Sequence, residues 1–241
     1  MANEPEASSH RMPIKSKNKT TATRESAKAE KRRVRILVSS AVIGYEDFLE
    51  RIYAVLEDFG YEVLMSHKGT IPIDPDISAM GSCLKEVEDC DVFLGVILPR
   101  YGSGVEEDAP YSITHLEALL AIERNKPRWF LVHEHVAIAR ELLTPYRDGK
   151  PGDPWKLKEG IKFGRTKILS DLRVLDLYEL AMRHDIPQLK DRKGNWVQVC
   201  GTPEDALLFT HAQFRRYKEV EKKFLPRISD SVMASQKGGK R

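Results

Sequence analysis

The sequence is poor in cysteine. Cys83, Cys90 and Cys200 are the three in 241 residues. They are too few and too scattered for a disulfide framework, and no Cys-x-x-Cys pair is present. That usage points to a reducing, cytoplasmic setting. Long apolar runs are also missing. None approaches the ~20 residues that span a bilayer, and no apolar stretch follows the early lysines as a signal peptide requires. There is no Gly-x-x-x-x-Gly-Lys-[Ser/Thr] loop, and no third glycine beside Gly102 and Gly104 for a dinucleotide fingerprint. His-Glu-x-x-His is absent as well. His133-Glu134-His135 sets two imidazoles close together if extended, but no third ligand is evident. It reads as a polar strand exit. No metal and no cofactor are assigned, and no internal repeat is visible.

What is present begins with charge. The chain holds 39 Lys+Arg against 36 Asp+Glu, a formal net charge of +3. Residues 1–33 carry nine basic and four acidic side chains, and residues 227–241 carry four basic and one acidic. The ends are therefore +5 and +3, which leaves the body between them at −5. An acidic body argues against a phosphate-gripping nucleic-acid face, which needs concentrated positive charge. The ends are rich in Lys, Ser, Thr and Ala. They cannot bury enough apolar surface to offset ordering entropy, so residues 1–33 and 227–241 read as disordered tails.

Between the tails, strand and helix patterns alternate. Val34–Val38 is a β-rich run ended by Ser39-Ser40. Phe48, Ile52, Val55, Leu56 and Phe59 follow with the spacing of an amphipathic helix, closed by Gly60. Tyr61–Met65 reads as a second strand, 76–89 as a helix, and Asp91–Ile97 as a strand covered on both faces. A glycine-containing loop, 99–111, leads to a helix ending near Arg124, then to a strand at Arg128–His133. This is a doubly wound α/β pattern, a flavodoxin-like parallel sheet with flanking helices. Residues 34–133 form that unit, and residues 134–226 complete or flank its sheet. In the second part, 167–183 has a helical pattern and Trp196–Cys200 reads as a fifth strand. Thr202-Pro203-Glu204-Asp205 opens a helix predicted to run to Phe224.

Ligands in such folds bind beyond the carboxyl ends of the strands. The loops there are 39–44, 66–75 and 99–111. They bring Ser39, Ser40, Arg100 and Tyr101 toward the start of the helix holding Ser112, Thr114 and Glu117. A fixed carboxylate in that crevice suits N-glycosidic cleavage, whose oxocarbenium-like transition state is stabilised or attacked by negative charge. Thr114-His115-Leu116-Glu117 is equally a capping box, with Thr114 at the N-cap and Glu117 at N3. Spacing leaves both roles open.

Taken together, Val38-Ser39-Ser40, Gly44 with Glu46–Arg51, Cys90-Asp91, Arg100-Tyr101-Gly102 and Ser112-x-Thr114-x-x-Glu117 resemble an uncharacterised TIR-like family. The similarity covers residues 34–133. The wider superfamily includes TIR domains that cleave NAD and nucleoside deoxyribosyltransferases. The resemblance implies a nucleotide or nucleoside ligand, NAD as substrate, a bacterial signalling or defence setting, and self-association. It implies Glu117 as the catalytic residue, with Ser39, Ser40, Arg100 and Ser112 holding ribose or phosphate and Tyr101 stacking on a base. Two alternatives stand beside NAD hydrolysis: a non-enzymatic TIR-like assembly module, and deoxyribosyl transfer. Tyr111-Ser112-Ile113-Thr114-x-x-Glu117 is similar to the transferase stretch Asp-Ser-Gly-Thr-x-x-Glu but departs at Tyr111 and Ile113. Ile113 in place of glycine is expected to narrow the pocket.

Overall fold

The computed structural model describes residues 32–105 and 110–224. All but Arg32 and Arg33 of the predicted N-terminal tail, and the whole of the C-terminal one, lie outside the described residues. In chain order the elements are β1 (Arg35–Ser40), α1 (Glu46–Asp58), β2 (Glu62–Leu64), α2 (Ala79–Asp89), β3 (Val92–Ile97), α3 (Ile113–Glu123) and β4 (Arg128–His133). There follow α4 (Glu134–Leu143), a two-residue hairpin of β5 (Arg147–Asp148) and β6 (Lys156–Leu157), α5 (Arg173–Met182), β7 (Asn195–Cys200) and α6 (Pro203–Phe214).

Five strands form one sheet in the order β2-β1-β3-β4-β7, every pair parallel. This is the flavodoxin-like order, and its direction of winding reverses between β1 and β3. All six residues of β3 are buried, as its continuous apolar run predicts. Strand alternation divides the core into two layers. Leu37, Phe93, Phe130 and Val132 pack under α2, α3, α4 and α5. Ile36, Val38, Leu94 and Leu131 pack under α1 and α6. In α1, Leu49, Ile52 and Leu56 are buried, each contributing about 2 kcal/mol of transfer free energy. Gly60, at φ +99, ends that helix in the left-handed conformation that lacks a steric cost for glycine. Asp91 is buried, and its carboxylate accepts the Arg35 N–H at 2.8 Å, which sets the starts of β1 and β3 side by side.

Three elements differ from the sequence reading. α4 follows β4 with no loop between them, where a polar strand exit was expected. Its N-cap is the imidazole of His133, whose Nδ1 accepts the His135 N–H at 3.1 Å. The helix predicted over 167–183 begins only at Arg173. The last predicted helix stops at Phe214, and the chain is helical again over 217–224. The Tyr61 hydroxyl donates to the Phe214 carbonyl at 3.1 Å, which takes up an acceptor an unbroken helix would use.

Candidate active site

β1 alternates its side chains, so Ser39 shares a face with Leu37, toward α2 and α3. Glu117 lies on α3, and the Ser39 hydroxyl donates to its Oε2. Oε1 takes no hydrogen bond among the described residues. Glu117 is 5% exposed yet lines an open cleft of about 860 Å³ at the carboxyl ends of β1 and β3. That volume suits a small-molecule ligand, for which pockets of ~300–1,000 Å³ are usual. Burial pushes the carboxyl up to about 7, while the Ser39 hydroxyl pulls it down. Among the described residues no cation is paired with it.

The capping box is not formed. Ser112 is the N-cap of α3, its hydroxyl accepting the His115 N–H at 3.3 Å, so Glu117 sits in the second turn. Ser112 is completely buried and does not line the cleft, which removes it from the expected ligand contacts. It is a cap because the preceding loop is anchored there: Ile113 N–H donates to the Ser103 carbonyl at 3.0 Å.

Tyr101 is also corrected. Its ring is 5% exposed, and the Arg173 guanidinium lies 4.5 Å from its centre. Its hydroxyl accepts the Ser112 N–H at 3.3 Å and stands 2.9 Å from His115 Nδ1. The imidazole tautomer sets which of the two donates in that contact. Burial lowers His115 to about 4, which keeps it neutral. Tyr101 therefore anchors the loop to α3, and where it borders the cleft its ring is covered by Arg173.

Ser40, half-buried, lines the cleft with its hydroxyl turned to the carbonyls of Ala41 at 2.9 Å and Val96 at 3.1 Å. Arg100 is exposed on the cleft wall and makes no hydrogen bond or ion pair among the described residues. Ile113 stands on the wall too, packed against Gly104, where a Cβ would fall 2.6 Å from its Cγ1. Gly104, at φ +80, tucks the loop against Ile113, so the bulky side chain leaves the cleft open. Cys83 on α2 reaches the cleft, but burial lifts its thiol to about 11, far from a reactive thiolate.

The sequence reading missed one wall entirely. Arg165, Ser170, Asp171 and Arg173 reach the cleft from the segment before α5. Ser170 N–H donates to the Pro99 carbonyl at 2.9 Å, and its hydroxyl accepts the Tyr101 N–H at 3.1 Å. No motif marks these residues, since they meet the loop after β3 across some seventy positions. Among the described residues no group of three or more His, Cys, Asp and Glu is placed to hold a metal ion, and no helix is long and apolar enough to cross a membrane.

Residues 35–157 match the model of a protein family described as Domain of unknown function (DUF4062). A comparison with curated proteins gives no match. Among solved structures, the Clostridium botulinum CMP N-glycosidase BcmB aligns at 15% identity with a TM-score of 0.36, covering 74% of this chain and 98% of that one.

Proposed function

From a chain that belongs to the DUF4062 family of unknown function, and from the chemistry of its cleft, we propose an enzyme that cleaves the N-glycosidic bond of a nucleotide, with NAD the first substrate to test. The observation that carries this reading is Glu117, a carboxylate on the cleft wall held through one oxygen by Ser39 and paired with no cation among the described residues. Since Ser112 caps α3, Glu117 has no capping role to account for it. That takes away the main support for a purely structural module.

In this reading Oε1 of Glu117 faces C1′ of the ribose. As the C1′–N bond lengthens, its electron pair leaves with the base and positive charge grows on the sugar. The carboxylate stabilises that charge or bonds to C1′, and water completes the hydrolysis. Nicotinamide leaves from a pyridinium cation as a neutral molecule, so no acid is needed on the leaving side. Ser39 positions the carboxylate, and Arg100 offers a guanidinium fork to a phosphate. With Glu117 near 7, the ionised fraction rises across neutral pH. The rate is therefore expected to climb through about pH 7 and level off above it.

The test is release of nicotinamide from NAD, followed by chromatography, at high protein concentration across that pH range. Glu117→Gln is expected to reduce release at least ~10²-fold with its fold intact. No release from NAD or from nucleoside monophosphates, or release that survives in the Gln variant, would sink the reading.

A further inference from the structure

We propose that Arg165, with Arg100, forms a phosphate subsite, so that the cleft takes a ribose 5′-phosphate unit and not a bare nucleoside. The proposal rests on the reading of the cleft as a nucleotide site and names the substrate class it serves.

The cleft wall carries three arginines, and among the described residues only Arg173 has an ion-pair partner. Arg173 gives its Nε to Asp171 Oδ1 at 3.0 Å and its NH2 to Asp171 Oδ2 at 2.7 Å. Its NH1 donates to the Pro110 carbonyl at 2.6 Å, and its plane covers the Tyr101 ring. Both oxygens of Asp171 are thereby committed, and Arg173 holds its carboxyl below the ordinary value despite burial. Arg165 lies close enough to Asp171 to act on it through charge, yet forms no ion pair with it or with any other described residue. Arg100 makes no ion pair among the described residues either. Two guanidinium groups on the cleft wall therefore make no ion pair within the described residues, in a body whose net charge is negative.

The position of Arg165 is built. It precedes a closed turn in which Thr166 N–H donates to the Leu169 carbonyl at 3.0 Å and Leu169 N–H donates to the Thr166 hydroxyl at 3.0 Å. Leu169 is buried in the core, and Ser170 is bonded to the loop after β3 on both its N–H and its hydroxyl. The turn thus sets the Arg165 backbone at the rim facing the Arg100 loop. Guanidinium forks match phosphate oxygens in geometry and charge, and two of them balance a phosphate monoester. Glu117 would repel that dianion, which places the phosphate at the arginine end of the cleft and the anomeric carbon at the carboxylate end. The family match ends at residue 157, so Arg100 lies within it and Arg165 is supplied by chain beyond it.

The experiment is calorimetric titration of the full chain with ribose 5-phosphate and with ribose, in the wild type and in Arg165→Gln. The wild type is expected to bind the phosphorylated sugar about 10- to 100-fold more tightly, the worth of a charge-assisted contact. Arg165→Gln, an exposed position, is expected to remove most of that preference and leave the melting temperature unchanged. Equal binding of the two sugars, no binding of either, or a preference that persists in the variant overturns the proposal. Neither sugar carries a base, so no bond is cleaved in the assay. If NAD yields no nicotinamide while ribose 5-phosphate binds through Arg165, the glycosidase reading falls and the phosphate subsite stands.

Discussion

Burial moves the Glu117 carboxyl from its ordinary 4.5 to about 7, and the shift that brings its titration near neutral pH also weakens the fold. The folded protein holds the Glu117 proton more tightly than the unfolded chain does. The cost of burying the residue is therefore least below pH 4.5, grows as pH rises, and is complete above about 7, where it is on the order of 3 kcal/mol. Glu117→Gln keeps the shape and cannot ionise. Its melting temperature relative to wild type is expected to rise between pH 5 and pH 8, measured by circular dichroism. A difference independent of pH would show that Glu117 is not buried as a titrating group. At this scale the sequence was legible where period alone decides direction. Ser39 and Glu117 meet because a strand period of two and a helix start aim them at one crevice. Tyr101 and Ser112 were misread because their roles are set by His115 and Arg173, partners that no local pattern reveals.

Elements were legible when they carried their own start and stop signals. β3 and β4 declare themselves by apolar runs, and α6 by a Thr202 cap whose hydroxyl accepts the Asp205 N–H at 3.1 Å. α4 gave no such sign, since an imidazole caps it directly at the end of a strand. What holds α4 in place is long-range. Glu179 on α5 is buried, accepting Arg140 Nε of α4 at 3.1 Å and Arg147 NH1 of the β5–β6 hairpin at 3.0 Å. One carboxylate thus ties two helices and a hairpin. Glu179→Ala strands the Arg147 guanidinium with little water, while Arg140 keeps Glu141 at 2.7 Å, and an uncompensated buried charge costs ~3–5 kcal/mol. Urea unfolding is expected to show a loss of that size, with Glu179→Gln recovering part of it through retained hydrogen bonds. If Glu179→Ala is as stable as wild type, the network is an exposed one of little worth, and α4 is held by Val136 and Ala139 packing alone.

Across the molecule, the formal charge of +3 conceals an acidic body at −5 between basic ends of +5 and +3. The positive surplus on the cleft wall is therefore local. Arg100 and Arg165 act over a few ångströms, while the body's field disfavours anions at longer range. The ends soften that field at low ionic strength. Every residue given a part in the chemistry lies between Ser39 and Arg173, so a chain trimmed to residues 34–226 is expected to retain the full turnover number. Its apparent affinity for NAD is expected to fall below that of the full chain at 10 mM salt, where the Debye length is ~30 Å. At 1 M salt, where it is ~3 Å, the two chains are expected to agree. Steady-state kinetics of both chains across salt concentration decides it. Loss of turnover in the trimmed chain at every salt concentration would move the chemistry out of the cleft and into the basic ends.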